Sequence, residues 1–268
     1  MQHVHAKVSE EMSHCKLICL GYNTFMSDNK HAPAPLTRDE VRQEIKERVN
    51  RIGREFSDAF EFINRYPRTV SIFGSARFVP ESTHYEQART LAQKIVKELG
   101  YAVVTGGSFG IMEGANRGAA EAGGESLGLN IRLPKEQLMN DYTTDSMNFS
   151  YFFTRKVALS FAAEAYVFFP GGFGTLDEFF EIVTLIQTHK IRRVPVFLVG
   201  EDYWSELEKF IRDNLFELHN AISKGDMDLY TVTDDLDRIV SEIRSVPIGS
   251  GFVRRRDKRP SVEEHPSS

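Results

Sequence analysis

A glycine-rich segment followed by two acidic residues carries the strongest chemical signal in this sequence. Residues 170–178 read Pro-Gly-Gly-Phe-Gly-Thr-Leu-Asp-Glu and follow an apolar run. We expect a helix to begin at Thr175, so that the N–H groups of Gly172, Gly174 and Thr175, with the Thr175 hydroxyl, form a phosphate cradle. Glu178 lies one turn into that helix, where its carboxylate would reach a ligand whose phosphate occupies the loop.

The acidic residues of that helix have two interpretations. By helical spacing Glu181 shares the face of Glu178, whereas Asp177 is expected to point elsewhere. In the functional interpretation Glu178 acts on the ligand and Glu181 is a further candidate. In the other interpretation Asp177 and Glu178 only stabilise the first turn through the helix dipole.

A second glycine-rich turn, Thr-Gly-Gly-Ser-Phe-Gly at residues 105–110, precedes a predicted helix from Ile111. Its glycines let the backbone approach a ligand closely, and the helix N-terminus attracts an anion. The spacing matches neither a dinucleotide fingerprint nor a Walker loop. The candidate glycines are Gly106, Gly107 and Gly110, and the polar candidates on the helix are Glu113, Asn116 and Arg117.

A third turn and a basic pair complete the candidates. Gly-Ser-Ala-Arg at residues 74–77 follows another apolar run. Ser75 offers a hydroxyl and Arg77 a fixed positive charge, although a turn with an incidental arginine fits the sequence equally well. Arg155 and Lys156 follow an aromatic run, and they are either a surface pair or a ligand-facing pair.

These turns lie between apolar runs and helical patterns that alternate along the chain. Nearly continuous apolar runs rich in Val, Ile and Phe are typical of parallel strands covered on both faces. The predicted strands are 70–73, 102–105, 126–131, 165–169 and 194–199, and the predicted helices are 85–99, 111–122, 152–162, 175–188 and 203–214. We predict an α/β fold, a Rossmann-like doubly wound parallel sheet with helices on both faces. The turns would then lie at the carboxyl ends of the strands, where such sheets bind ligands.

An amphipathic helix is predicted before the sheet. Thr37 is its N-cap, and Glu40 three residues later completes a capping box. Apolar residues at helical spacing continue from Val41 to Ile63, and we interpret this stripe as core or as a subunit contact. The predicted domains are a variable N-terminal arm at 1–36, the helix at 37–66, the α/β domain at 67–245 and a disordered tail at 246–268.

Composition limits the classes of function. Of the 268 residues, 41% are hydrophobic and 26% charged, which is ordinary for a soluble protein, and the net charge of -5 argues against a general affinity for nucleic acid or anionic membrane. No apolar run approaches the roughly 20 residues of a membrane helix, and no signal pattern opens the chain, so we expect a cytoplasmic protein.

Cys15 and Cys19 have no matching second pair, and we expect two reduced thiols rather than a metal site.

Taken together, the turns resemble a known family. Gly-Ser-Ala-Arg at 74–77, Thr-Gly-Gly at 105–107, Gly-Ile-Met-Glu at 110–113, Phe-Thr-Arg-Lys at 153–156 and the segment 170–178 occur in the order seen in the Lonely Guy (LOG) family, formerly labelled lysine decarboxylases. The resemblance spans roughly residues 56–236, and the chain looks most like the longer bacterial members. His189 stands where a glycine often follows the Gln-Thr pair, a departure that leaves the chemical positions intact.

The resemblance implies a phosphoribohydrolase. Such an enzyme hydrolyses the N-glycosidic bond of nucleoside 5′-monophosphates, AMP or cytokinin ribotides, to free base and ribose 5-phosphate, without a metal or other cofactor. It implies that Arg155 and Glu178 are catalytic, and that the protein is a homodimer or higher homo-oligomer whose partner is a small nucleotide. The family's phosphate-binding positions correspond to Gly107, Gly172, Gly174 and Thr175; further predicted substrate contacts are Ser75, Gly106, Gly110, Lys156 and Gly171, with Arg77, Glu113, Asn116 and Glu181 as additional candidates.

The residues also fit this chemistry on physical grounds. Breaking a ribosyl–base bond builds positive charge on the ribose, and a carboxylate beside the ring stabilises that charge. Glu178 is the candidate for this role, Arg155 would hold the ligand or the departing base, and the base could be protonated by Glu113 or Glu181. The alternative is a non-catalytic nucleotide-binding or carrier protein. A pyridoxal-phosphate decarboxylase is disfavoured, since no Schiff-base lysine with a partner for the pyridine nitrogen is evident.

Overall fold

A computed structural model describes residues 37–132 and 139–246. Contacts divide the chain into two units, residues 1–49 and residues 50–268. The predicted arm at 1–36 and nearly all of the predicted tail lie outside the described residues, so the domain boundaries stay a prediction.

Helix α1 (Arg38–Asn64) begins in the first unit. The predicted capping box is confirmed: the Thr37 N–H donates to Oε2 of Glu40 at 2.7 Å, and the Glu40 N–H donates to Oγ1 of Thr37 at 3.3 Å. The side chains of Val41, Ile45 and Val49 are exposed. The interpretation of these three positions as core is therefore wrong.

The second unit contains a seven-stranded sheet in which every pair of neighbours is parallel. Its strands are β1 (Thr69–Phe73), β2 (Ala102–Thr105), β3 (Ser126–Ile131), β4 (Asp145–Phe149), β5 (Ala165–Phe168), β6 (Val196–Leu198) and β7 (Thr231–Val232), in the order β4-β3-β2-β1-β5-β6-β7. The predicted fold class is confirmed. The strand order reverses between β1 and β5, and such a reversal opens a crevice at the carboxyl ends of these two strands.

Six helices of the described residues follow α1 along the chain. They are α2 (Thr83–Lys94), α3 (Ile111–Glu121), α4 (Phe152–Phe161), α5 (Phe173–Gln187), α6 (Glu201–Phe210) and α7 (Leu236–Ser245). π-helical turns at Ile95–Leu99 and Ile211–Leu218 extend α2 and α6, and a short 3₁₀ helix spans Lys224–Asp228.

The sheet has a separate apolar core on each face, because successive side chains of a strand point to opposite sides. On β1, Val70 and Ile72 pack into one core and Phe73 into the other. Phe73 stacks on Phe168 of β5, with ring centroids 4.8 Å apart. Burial on both faces explains why the central strands are almost entirely apolar and could be recognised in the sequence.

The elements missed by the sequence analysis include strand β4 and helix α7. The edge strand β4 is mostly polar and only partly buried, so it lacks the continuous apolar run of its neighbours. Helix α7 does carry a sequence signal: the Asp235 side chain accepts a hydrogen bond from the Arg238 N–H at 3.0 Å, and Ile239 and Ile243 recur at helical spacing.

Close packing of α3 against α2 depends on two glycines of α3. A Cβ at Gly114 would lie 2.8 Å from the carbonyl oxygen of Tyr85, and a Cβ at Gly118 would overlap the carbonyl of Arg89. These glycines therefore allow two helices to approach and hold α3, which begins at the second glycine-rich turn, in place.

Candidate active site

A large cavity opens at the carboxyl ends of the central strands, as the positions of the turns predict. Its volume is about 890 Å³, and its wall combines all three candidate turns with the first turn of α4. The lining residues that were predicted from the sequence are Ser75, Arg77, Gly106, Arg155, Lys156, Gly171, Gly172, Gly174, Thr175 and Glu178. The fold thus gathers side chains from four separate stretches of the chain.

The other sequence candidates do not line this cavity in the described part of the chain; they are Gly107, Gly110, Glu113, Asn116, Arg117 and Glu181. Gly110 has a φ of 65°, and a Cβ there would overlap the backbone of Ser75. The neighbouring Ile111 N–H donates to the Ser75 carbonyl at 3.1 Å. Gly110 therefore lets the turns at 74–77 and 105–110 join, while Glu113 accepts a hydrogen bond from the Tyr85 hydroxyl at 3.2 Å.

Glu178 is a buried carboxylate in the cavity wall. The residue is 8% exposed, and Oε2 accepts no hydrogen bond from the described residues. Burial raises the pKa of Glu178 to about 7, against the opposing effect of the positive charges of Lys156 and Arg155. A carboxyl group with a pKa near neutrality can exchange a proton at physiological pH, and such groups are concentrated at functional sites.

Arg155 enters the cavity from α4 and is fixed on two sides. Its Nε donates to the carbonyl of Leu129 on β3 at 2.7 Å. Its guanidinium lies against Gly106, where a Cβ would overlap Nη2. Burial lowers the pKa of Arg155, whereas the charge of Glu178 raises it, so the two groups interact electrostatically. An arginine stays charged in such surroundings.

Lys156 joins two carboxylates of α5. Its Nζ donates to Oδ2 of Asp177 at 2.5 Å and lies 2.9 Å from Oε2 of Glu181. Burial lowers the pKa of Lys156, but its hydrogen bonds to Asp177 and Glu181 outweigh this and raise it overall. Asp177 also lines the cavity, so the expectation that it points elsewhere is wrong. Helical spacing alone could not show that Lys156 of α4 engages both carboxylates.

The glycines of the turn before α5 differ in their surroundings. A Cβ at Gly171 would overlap the Thr175 side chain, and the Gly171 carbonyl accepts a hydrogen bond from the Tyr203 hydroxyl at 2.6 Å. At Gly172 and Gly174 a Cβ would meet no atom within 4 Å. The space beside these two glycines is open to a ligand at the N-terminus of α5, where unpaired N–H groups and the helix dipole favour an anion.

Asn116 and Asn140 support the second glycine-rich turn from behind. Oδ1 of Asn116 accepts hydrogen bonds from the Thr105 hydroxyl at 2.6 Å and from Nδ2 of Asn140 at 3.0 Å. Nδ2 of Asn140 also donates to the Ser108 carbonyl at 2.8 Å, and its backbone N–H donates to the Gly107 carbonyl at 3.0 Å. Both asparagines are buried. Sequence reasoning missed Asn140, whose partners lie in distant segments.

Apolar and aromatic side chains complete the wall, and sequence reasoning selected none of them. They include Phe78, Met112, Phe152, Phe173, Leu176 and Tyr203. A largely apolar wall with a few charged groups is typical of small-molecule sites. Phe173 is 93% exposed, and its place inside the glycine-rich turn is the signal that could have identified it, since folding does not require a large apolar residue there.

Within residues 37–132 and 139–246, no group of three or more His, Cys, Asp or Glu side chains could hold a metal ion, and no helix is both long and apolar enough to cross a membrane. Cys15 and Cys19 lie outside the described residues.

Comparison with solved structures supports the fold. A molybdenum cofactor binding protein from Rippkaea orientalis aligns with a TM-score of 0.51 and 22% identity, over 67% of this chain and 96% of that one. A molybdenum cofactor carrier protein from Chlamydomonas reinhardtii aligns with a TM-score of 0.50 and 24% identity, over 67% of this chain and 97% of the other. At these identities the likeness extends to the fold alone.

Sequence comparison finds similarity to one family. Residues 112–243 match a family model described as "Possible lysine decarboxylase". A probable cytokinin riboside 5′-monophosphate phosphoribohydrolase of Oryza sativa subsp. japonica is 30% identical over 147 residues, which span 54% of this chain and 59% of the relative. A cytokinin riboside 5′-monophosphate phosphoribohydrolase of Arabidopsis thaliana is 28% identical, over 54% of this chain and 68% of the relative. The chain is therefore similar to members of the Lonely Guy (LOG) family over about half of its length.

Proposed function

We propose that this protein hydrolyses the N-glycosidic bond of nucleoside 5′-monophosphates, AMP or cytokinin ribotides, to free base and ribose 5-phosphate. The observation that carries the proposal is the buried carboxylate oxygen of Glu178, which accepts no hydrogen bond from residues 37–132 and 139–246 and lies in the same cavity wall as Arg155. Burying a carboxylate without a partner is costly, and a fold that retains such a group at an open cavity favours a role for it in binding or chemistry. The names of the curated relatives support the same reaction.

The phosphate would bind at the N-terminus of α5. There the glycines at 172 and 174 leave open space, and the Thr175 side chain adds a hydroxyl to the cavity wall. The helix begins at Phe173 rather than at Thr175, and the Thr175 N–H donates to the Gly172 carbonyl at 3.0 Å, so the expectation that this N–H is free for the phosphate is wrong. A helix N-terminus binds phosphate through its unpaired N–H groups and its dipole. Glu178 lies one turn further along the same helix, so a nucleotide anchored by its phosphate would present its ribose to this carboxylate.

Glu178 would act at the bond that breaks. As the bond from ribose C1′ to the base nitrogen breaks, its electron pair leaves with the base and positive charge develops on the ribose, which an ionised carboxylate stabilises. Water then adds to C1′ and loses a proton, while the base gains one. With a pKa of about 7, Glu178 can accept the proton from water and release it again near neutral pH. The cationic Arg155 would hold the departing base or the ribose.

Product analysis tests the proposal. Purified protein incubated with AMP should release adenine and ribose 5-phosphate in equal amounts by chromatography. Glu178→Gln should bind AMP and release at most about one hundredth as much adenine, since a charge-stabilising group of this kind is worth about 10²-fold or more. The matched control is Glu206→Gln on the exposed face of α6, which should keep full activity. Binding of several monophosphates without release of any base would instead establish a non-catalytic binding protein.

We also propose that the protein works as a homodimer or larger homo-oligomer in the cytoplasm. The large apolar side chains of Phe152, Phe153 and Phe173 are exposed, Phe152 and Phe173 in the cavity wall, and exposed apolar side chains of this kind commonly mark contact surfaces. Light scattering coupled to size exclusion should give at least twice the mass of the chain. A monomer at every concentration would contradict this assembly.

A further inference from the structure

A carboxylate of helix α1 lies at the N-terminus of the helix that carries Arg155. Oε1 of Glu55 accepts a hydrogen bond from the Ser150 N–H at 2.6 Å, and Oε2 accepts one from the Tyr151 N–H at 3.3 Å. The hydroxyl of Thr154 donates to Oε2 as well. Three donors around the start of α4 therefore converge on one side chain that is almost one hundred positions away in the sequence.

The contact from the Tyr151 N–H meets a general need of helices. The first N–H groups of a helix have no intrahelical acceptor, and a small polar residue at the N-cap usually supplies one. Tyr151 occupies the N-cap of α4 and is not a residue of that type. Glu55 accepts from the N–H of this N-cap residue and from the N–H of Ser150 just before it, and its negative charge lies at the positive end of the helix dipole.

The capped turn carries the two cations of the candidate site. Arg155 makes the first backbone hydrogen bond of α4, from its N–H to the Tyr151 carbonyl at 3.3 Å, and Lys156 is the next residue. From that turn the Arg155 side chain reaches the Leu129 carbonyl and lies against Gly106. A shift of this turn would therefore move the Arg155 guanidinium within the cavity.

Independent contacts hold the same two helices together. The rings of Phe56 and Phe153 have centroids 6.4 Å apart, and those of Phe60 and Phe161 are 6.0 Å apart. Just beyond the end of α1, the Tyr66 hydroxyl donates to Oδ2 of Asp145 on the edge strand at 2.7 Å. The part of α1 that contains Glu55 is thus fixed to the sheet as well as to α4.

We propose that Glu55 is a positioning residue that sets the orientation of Arg155 through the first turn of α4. Residues 112–243 match the family model, and helix α1 lies wholly outside them. A residue outside the matched region would therefore help to position Arg155. The consequence for turnover rests on the proposed hydrolase function. The contact itself can be tested without it.

The test compares Glu55→Ala with Glu55→Gln and with a control, Glu61→Ala, at an exposed position of the same helix. With AMP as substrate, Glu55→Ala should lower kcat by roughly tenfold to hundredfold, as displacement of a catalytic group does. KM should change by less than about twofold, because the phosphate cradle on α5 is untouched. Glu55→Gln keeps an oxygen acceptor and should recover most of kcat, while Glu61→Ala should match the wild type.

Hydrogen exchange gives a readout that does not depend on turnover. The amides of Ser150 and Tyr151 and those of residues 152–156 should exchange faster in Glu55→Ala, and their rates should be unchanged in Glu61→Ala. If Glu55→Ala does not fold, Glu55→Gln and Glu55→Asp carry the same comparison. Should the wild type hydrolyse no monophosphate, the proposed function fails, and unchanged exchange at 150–156 in Glu55→Ala would separately overturn the contact.

If the wild type hydrolyses AMP, the kcat values of the variants test the positioning role of Glu55. A Glu55→Ala protein with the kcat of Glu61→Ala would overturn the positioning role, even if its amides exchange faster. A fall in kcat that Glu55→Gln does not recover, with a melting temperature lowered to the same extent, would also overturn it, because general destabilisation would then explain the loss.

Discussion

The guanidinium group of Arg155 occupies the space that a side chain at position 106 would need. Gly106 follows β2 and Arg155 lies in the first turn of α4, so the two meet only because the parallel sheet brings their segments to one edge. The absence of a Cβ at 106 therefore sets where the positive charge of the cavity lies.

Gly106→Ala should displace Arg155 and lower kcat for AMP by about 10²-fold, in keeping with the cost of misplacing a catalytic group by about an ångström. The new methyl would also lie 2.8 Å from Sδ of Met112. Gly53→Ala is the control: a Cβ there meets nothing within 4 Å on helix α1, and it should raise the free energy of unfolding by about 0.5–1 kcal/mol without changing kcat. Equal activity of the two variants would contradict the steric account.

Two glycines of the same turn should respond differently to alanine. Gly174→Ala meets no protein atom within 4 Å, so it should fold normally, yet its methyl would enter the space proposed for the phosphate and raise KM for AMP about tenfold or more. Gly171→Ala would overlap Thr175 and should lower the free energy of unfolding by about 1–3 kcal/mol. Urea titrations and steady-state kinetics of both variants separate the effects. A Gly174→Ala protein with an unchanged KM would exclude this phosphate position.

The rate should depend on pH through Glu178. If the ionised carboxylate is required, kcat/KM should fall below the pKa of Glu178, which is about 7, and reach a plateau above it. Lys156 lowers that pKa, so Lys156→Met should move the acid limb of the profile to higher pH. Lys209→Met, at an exposed site on α6, is the control and should leave the limb in place. An acid limb that stays fixed in Lys156→Met would remove Glu178 as the titrating group.

The same carboxyl group should make stability depend on pH. Its pKa is about 7 in the folded protein and 4.5 when unperturbed, so its contribution is fully present below about pH 4.5 and is lost as the pH rises through 7. The loss amounts to about 3 kcal/mol at most. Glu178→Gln cannot ionise and should be more stable than the wild type at pH 8.5, by about 1–3 kcal/mol, but not at pH 4.5. Urea unfolding of both proteins at the two pH values measures the difference, and an equal difference at both would refute the assignment.

The buried asparagine pair should behave as one unit. Asn116→Ala leaves the partners of its amide unsatisfied, and Asn140→Ala frees the Ser108 carbonyl, so each should cost about 1–3 kcal/mol of stability. The two share a hydrogen bond, so the double variant should lose less than the sum of the single losses. A double-mutant cycle in urea measures this coupling. Strict additivity would contradict the shared network.

The central part of the fold could be predicted because its signals are local. The strands β2 and β3 begin and end as predicted: β2 is almost wholly apolar, and in β3 the apolar residues Leu127, Leu129 and Ile131 alternate with small or polar ones. β4 could not be found in this way. It pairs on one side only, and its polar sequence forms a strand because β3 offers it a partner.

Within the candidate site, predictions from glycine spacing and charge reached many of the residues that line the cavity. The supporting residues Asn140 and Glu55 were not predicted, because no motif surrounds them and their hydrogen-bond partners lie far away in the sequence. Asp177 was placed wrongly for a related reason. Helical spacing fixes its direction on α5, but Lys156 of a different helix decides which groups it contacts.

The sequence by itself determined where the chain turns, which turns precede helices, and which charged groups stand beside them, because turn conformation, capping and periodicity depend on neighbouring residues. Only the tertiary structure decided that Arg155 lies on Gly106, that Glu55 caps α4, and that Glu178 is buried with a pKa near 7. Those properties depend on desolvation and on contacts between distant segments, and packing of the complete sheet and its helices creates both.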